Sequence, residues 1–359
     1  MVLLFFILLT FISPEDIIYI PVKKFQLWHH RSYMNIINGD YESSRLISKV
    51  LMMYYMEDRS QAEIGQELGL STAKINRLLK QARNQGYVEI NIHTPYQHLI
   101  QVEKDLEGVT GLKHAIVVPK LGDNPKALIQ SVGRAAANFF LEHLRDGDVV
   151  CMGGGTSLSS MVEGIRCDSQ NDITVVPACG GMQGRHDTDV NNLVADLASK
   201  LGGKGLSLHA PAITDTPSER EAILALRQVR DVLKLADNAQ IALVGIGAVR
   251  PATASLFQFA SLSADDILAL TENRQAVGEI LLHLIDKNGK PVKNVLNERI
   301  VSMDLDVFKK IPLTIGIAAM PLKTSPIIGA LRGGYIKVLV TDEETALDVL
   351  EKFPCNTTA

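Results

Sequence analysis

The residues best suited to chemistry in this 359-residue chain are Gly153, Gly154, Gly155, Thr156 and Ser157, within VVCMGGGTSL. An apolar strand runs into three glycines, and Thr156 and Ser157 open a helix. Glycines let the backbone approach a ligand closely. The free N–H groups at a helix start favour an anion, most often phosphate, and the two hydroxyls add donors. The spacing is not a dinucleotide fingerprint, because the third glycine of GxGxxG would fall at Leu158, and no GK[ST] makes it a P-loop. The competing reading is a tight strand-to-helix turn that needs glycine for positive φ. Two further glycine junctions, Cys179-Gly180-Gly181-Met182-Gln183-Gly184 and Gly245-Ile246-Gly247, fall where parallel strands should end. Ligands of open α/β sheets bind at those strand ends. Glu279 in AVGEIL could accept from ligand hydroxyls, and Lys323 in AAMPLKTS could meet a phosphate; the competing reading of each is a solvated surface charge. No HExxH, GxSxG or histidine cluster with metal spacing occurs, and His29-His30 and His186 are scattered with the rest. No catalytic residue, metal site or cofactor is therefore expected.

A second chemistry is written in SQAEIGQELGLSTAKINRLLKQAR, residues 60–83. A first helix is expected from Gln61 to Leu68, with Ile64 and Leu68 inward and Ala62 and Gly65 small enough for another helix to approach. Gly69 suits a left-handed turn, and Ser71 stands where an N-cap belongs. In the second helix Ile75, Leu78, Leu79 and Ala82 form one buried stripe. The other side carries Thr72, Lys74, Asn76, Arg77, Lys80 and Arg83, with no acid between Ser71 and Arg83. Such a helix can enter a major groove, reading base edges from its N-terminal end while lysine and arginine meet phosphates. A basic surface helix is the alternative. The turn, an upstream helix at Leu46–Met56 and the alternating run Tyr87–His93, expected as a wing strand, favour DNA.

These residues must be held by larger elements. Residues 41–94 form the expected winged helix-turn-helix and 95–110 a linker helix, about Gln97–Leu106, that could help protomers associate. From 111 to 353 short apolar runs alternate with amphipathic stretches. Strands are expected at His114–Val118, Asp148–Met152, Ile173–Pro177, Ile241–Gly245, Leu313–Ala318 and Val338–Thr341. Helices are expected at Lys126–His143, Leu158–Ile165, Asn192–Leu201, Ser218–Leu235, Pro326–Leu331 and Glu343–Glu351. The alternation implies an α/β class with a mostly parallel sheet covered on both faces. In HLIDKNGKPVKNVL, Lys287-Asn288-Gly289 reads as a hairpin turn.

The net charge of −4 does not argue against a DNA ligand, which requires only a local basic face. Cys151, Cys167, Cys179 and Cys355 show no metal-ligand spacing and read as thiols in a reducing cytoplasm. Residues 1–40 stand apart. MVLLFFILLTFI is short for a membrane span and lacks the flanks of a signal peptide, so a mis-assigned start, with Met34 as the beginning, is expected in preference to a membrane anchor.

The chain resembles the SorC family of bacterial transcriptional regulators, the sugar-binding DeoR-like group, over roughly residues 43–351. The resemblance is carried by SQAEIGQELGLSTAKINRLLKQARNQGYVEI, MGGGTSL, RDVLKLADNAQIALVGIGAV, AVGEILLHLIDKNG and GALRGGYIKVLVTDEETA, in that order. It implies a winged helix-turn-helix joined to an effector domain resembling the ribose-5-phosphate isomerase and glucosamine-6-phosphate deaminase fold. It also implies a phosphorylated sugar or related metabolite as effector, double-stranded operator DNA as partner, and a homotetramer or dimer. By position, the resemblance puts the glycine loop in the effector pocket, Glu279 on the ligand and Lys323 near its phosphate. The chain departs from the family where a GGxxK run is common, having Ala318-Ala319-Met320-Pro321-Leu322-Lys323, and where arginine is common, having Thr156. The expected function is a sugar-responsive regulator. The rival is a sugar-phosphate isomerase carrying a DNA-binding domain, for which Glu279 is the one available general base and no partner acid is evident.

Overall fold

The computed structural model describes residues 41–90, 94–120, 122, 124–167, 172–182, 187–249 and 275–353. The leader at 1–40, residues 91–93, the tail of the second glycine junction at 183–186 (with His186) and Cys355 lie outside them. The chain divides into two compact units, one ending at Ile92 and the other starting at His93.

In the smaller unit, α1 (Tyr41–Leu51) runs into one π-helical turn, Met52–Met56, followed by α2 (Gln61–Leu68) and α3 (Thr72–Asn84). The bounds of α2 follow from local chemistry. Ser60 and Glu63 form a reciprocal capping box at its start. Gly69 ends it at φ +66°, a left-handed conformation that costs glycine least. The Ser71 side chain then accepts from Lys74 N to start α3. Ile64, Ile75, Leu78, Leu79 and Ala82 are buried together with Ile47, Val50 and Met53 of the upstream helix. Gly65 is small for a reason other than helix approach: a Cβ there would stand 2.6 Å from the Leu70 carbonyl oxygen of the turn. Ala62 is exposed and admits no neighbour. The expected wing strand is absent over Tyr87–Ile90, which is irregular chain with three of its four residues exposed. Alternation is not enough to make a strand there, because no second strand among the described residues offers it a hydrogen-bonding edge.

The larger unit is built on a seven-stranded parallel sheet. Its strands are β1 (His114–Val118), β2 (Val149–Met152), β3 (Thr174–Pro177), β4 (Lys204–Gly205), β5 (Ile241–Gly245), β9 (Leu313–Ile317) and β10 (Val338–Asp342), in the order β1-β10-β9-β5-β2-β3-β4. Apart from the exposed, two-residue β4, their apolar runs are continuous because both faces are buried. Val150, Met152, Ile241 and Leu243 pack on one side, and Cys151, Ala242 and Val244 on the other. A small antiparallel sheet of β6 (Gly247–Ala248), β7 (Ala276–Ile280) and β8 (His283–Asp286) is set beyond β5. The Lys287-Asn288-Gly289 turn forms as expected, with Gly289 at φ +76° and an antiparallel bridge between Ile285 and Pro291.

Helices cover the sheet: α4 (Gln97–Thr110), α5 (Pro125–His143), α6 (Thr156–Gly164), α7 (Val190–Leu201), α8 (Pro217–Ala225), α9 (Arg227–Asp237), the short α10 (Leu305–Phe308), α11 (Thr324–Arg332) and α12 (Glu343–Lys352). The stretch expected as one helix, Ser218–Leu235, is two, because Leu226 leaves the helical region at ψ 129°. The segment expected as a linker extends a turn further, to Gly111 at φ +77°. It packs through Leu99, Val102 and Leu106, and its Glu103 and Glu107 carboxylates accept from Val117 N (2.8 Å) and Ala115 N (3.0 Å) of β1. Those contacts occupy the free side of an edge strand, a place that would otherwise expose unpaired backbone donors.

Candidate functional site

The chain reaches the middle of the sheet at β2, moves outward through β3 and β4, then returns to the other side of β2 with β5, β9 and β10. Connections leave β2 and β5 in opposite directions. A crevice opens beyond their carboxyl ends, the place where open α/β sheets bind ligands. A cavity of about 250 Å³ occupies it. Gly153, Gly154, Gly155, Thr156 and Ser157 after β2, Gly180 after β3, Gly245 at the end of β5, Gly247 in β6, Glu279 on β7 and Lys323 after β9 all line it. Of the residues singled out from sequence for the effector, Gly181 is not in the lining. It is small because a Cβ would stand 2.9 Å from both Asp189 Oδ2 and Asn191 Nδ2, where α7 begins.

The glycine loop serves both readings at once. Gly155 has φ +113°, which an L side chain rarely adopts, and its N–H donates to Thr188 O at 2.9 Å. Gly154 lies so close to the same carbonyl that a Cβ would meet it at 2.8 Å. Gly153 N donates to Leu243 O, tying the loop to β5. Ser159 N is the first to reach back along α6, to Gly155 O, so the N–H groups of Thr156, Ser157 and Leu158 precede the helical ladder. Thr156 and Ser157 line the cavity, at the positive end of the helix dipole.

The same cavity holds two opposite charges, Glu279 and Lys323. Glu279 is half-buried; burial raises its carboxyl above the usual range, opposed by the hydrogen bond from Leu282 N (2.8 Å) and the nearby Lys323 ammonium. Burial likewise lowers Lys323, opposed by Glu279. Among the described residues the Lys323 ammonium makes no ion pair within 4.0 Å, so the two charges feel each other without closing on each other. Gly247, paired with Glu279 in the small sheet, is the space the carboxylate occupies: a Cβ there would collide with Oε1.

Several lining residues were not singled out from sequence: Leu281, Leu282, Met320, Thr188 and Asp189 among them. Leu281 (φ +48°) and Leu282 (φ +72°) are the two loop residues of the β7–β8 hairpin. Both need left-handed conformations that Asn-Gly adopts far more readily, so nothing in their type announces a turn. Such residues cost about 1–3 kcal/mol each and persist only where the surroundings impose them. Asp189 caps α7 and accepts from Met182 N, a role fixed by a loop contact. The described residues hold no group of three or more histidine, cysteine or carboxylate side chains able to bind a metal ion. Cys151 and Cys179 are buried thiols, and burial pushes both up, Cys179 to about 12.

In the smaller unit, Ser71, Thr72, Lys74, Asn76, Arg77, Lys80 and Arg83 are all exposed, opposite the stripe that α3 buries. The structure thus separates one helix into an apolar half held by α1 and α2 and a basic half open to a partner.

A helix-turn-helix with a free basic face, linked in one chain to an α/β unit with a polar cavity at its switch point, defines the class of ligand-responsive DNA-binding regulators. Residues 94–351 match a family described as "Putative sugar-binding domain", and residues 48–85 match "Sigma-70, region 4". The sorbitol operon regulator of Klebsiella pneumoniae is 33% identical over 84% of this chain and 96% of that protein. The deoxyribonucleoside regulator of Bacillus subtilis is 27% identical over 86% and 97%. The crystal structure of the full-length Klebsiella pneumoniae sorbitol operon regulator SorC superposes with a TM-score of 0.66 at 32% identity, covering 85% of this chain and 98% of that one. The chain belongs to the SorC family of sugar-binding transcriptional regulators.

Proposed function

We propose that this protein regulates a carbohydrate-utilisation operon in the cytoplasm, binding double-stranded operator DNA through α3 and a phosphorylated sugar in the cavity. The observation that carries the sugar phosphate is the half-buried Lys323 ammonium, without an ion pair among the described residues, sharing one cavity with the Glu279 carboxylate and the start of α6. A cation and helix N–H groups suit a phosphate, while a carboxylate accepting from hydroxyls suits a polyol. In this reading Thr72, Lys74 and Arg77 approach bases, Lys80 and Arg83 lie nearer phosphates, and Ser71 and Asn76 complete the surface. The larger unit assembles protomers into a tetramer or dimer, and ligand binding shifts the placement of their DNA-binding units.

Changing Arg77 to Ala is expected to weaken operator binding by about 1–3 kcal/mol if it reads a base. Electrophoretic mobility shifts with a operator fragment from the neighbouring promoter measure it, and unchanged affinity would remove Arg77 from the recognition surface. The protein is proposed to bind its sugar phosphate without turning it over. Incubation with pentose and hexose phosphates tests this, since isomerised product above background would make the cavity an active site.

A further inference from the structure

The backbone that delivers Lys323 to the cavity is held in a conformation its residue does not favour. Met320 has φ +80° and ψ 143°, a combination that glycine adopts and other residues rarely do. It follows β9 by three residues and opens the single 3-10 turn Pro321–Lys323 that leads into α11. Its two backbone groups are both engaged. The Met320 N–H donates to Asp342 Oδ2 at 2.7 Å, and its carbonyl accepts from Lys323 N at 2.9 Å. One residue therefore connects the end of β10 to the lysine.

Asp342 is well placed to act as the anchor. It is buried, lies at the last position of β10 and caps α12. Its Oδ1 accepts from Thr345 N at 3.0 Å, and its Oδ2 accepts from Thr345 Oγ1 at 2.6 Å as well as from Met320 N. Among the described residues no cation stands within ion-pair distance of this carboxylate, and these three donors are its hydrogen-bond partners. The cap of a helix on one side and the strained turn on the other share one carboxylate.

We propose that Asp342 is a positioning residue for ligand binding: through Met320 it holds the turn that presents Lys323 to the cavity. This rests on the reading of the cavity as an anion site. The role separates Asp342 from a plain helix cap, because a cap would serve α12 whatever residue stood at 320. If Asp342 acts by enforcing a positive φ, then glycine at that position, which adopts it unaided, makes the enforcement unnecessary.

The test is a cycle of the full-length wild type, Asp342→Asn, Met320→Gly and the double variant, titrated calorimetrically with inorganic phosphate and melted in parallel. Asp342→Asn is expected to weaken phosphate by about tenfold, and adding Met320→Gly to return it to within about threefold of wild type. A double variant as weak as Asp342→Asn alone would overturn the proposal. If the wild type binds no phosphate, the anion reading of the cavity fails on its own, and the melting temperatures decide the anchor. A smaller loss from Asp342→Asn in the Met320→Gly background supports it, because the capping contribution is common to both backgrounds and cancels. Equal losses in the two backgrounds overturn it.

Discussion

Glu279 and Gly247 illustrate how much of this site is set by what is missing. The carboxylate fits because its neighbour in the small sheet has no side chain, and its other oxygen is fixed by Leu282 N. Replacing Glu279 with Ala is expected to abolish the effect of a sugar phosphate on DNA binding while operator affinity stays near normal. Mobility shifts with and without the sugar phosphate read both quantities, and a variant that still responds fully would remove Glu279 from the ligand. Lys323 gives a pH signature. Burial holds its ammonium below the usual lysine range, so it loses its charge at a lower pH than a free lysine does. Anion affinity is expected to fall as pH rises through that lowered value. Sulfate is the suitable probe, since its own charge is constant there, and a Lys323→Met variant should show weak binding at every pH. The same group acts on stability with the opposite sign. Between the folded and unfolded pKa values the unfolded chain binds more protons, so the burial cost of the charge is relieved as pH rises.

At the level of elements, the helix-turn-helix depends on the tight passage from α2 to α3. Leu70 N donates to Gly65 O, and Gly69 turns the chain with positive φ just before Ser71 caps the next helix. Gly65→Ala would push a methyl group into the Leu70 carbonyl oxygen, which is backbone and cannot swing aside. The expected result is a loss of roughly 1–3 kcal/mol, the usual cost of overpacking, seen as earlier melting of the smaller unit and weaker operator binding with the cavity of the larger unit intact. Normal melting would show that the turn yields without cost. The larger unit uses a different device at its edge, where Glu103 and Glu107 of α4 accept from the free N–H groups of β1. Burial raises the Glu103 carboxyl, opposed by the bond from Val117 N.

For the whole molecule, two compact units with separate cores mean that heat need not unfold them together. A sugar phosphate that binds the cavity is expected to raise the melting temperature of the larger unit, by an amount that grows with ligand concentration. Scanning calorimetry across a series of sugar phosphates measures this and ranks candidate effectors; a series without any shift would count against the whole class. Coupling to DNA must then be reciprocal. An effector that weakens operator binding binds the DNA-bound form more weakly by the same factor.

The sequence by itself determined the helix-turn-helix, the alternation of strands and helices and the glycine loop, because each is written in local spacing. The stripe Ile75, Leu78, Leu79 and Ala82 has helical period, the cap at Ser71 acts within one turn, and the six expected strands are continuous apolar runs. It missed what has no local mark. The Leu281-Leu282 turn, the strained Met320 and the break at Leu226 take conformations that their residue types do not signal, and Gly181 differs from Gly180 only in what packs against it. The described part of the expected wing, Tyr87–Ile90, is not a strand for a related reason, since a strand exists only with a partner edge. Tertiary structure alone decided that loops from β2, β3, β5, β7 and β9 meet at one crevice, because strand order in a sheet is a property of long-range packing. That is what brought Glu279 and Lys323, residues forty-four apart in the chain, to the lining of a single cavity.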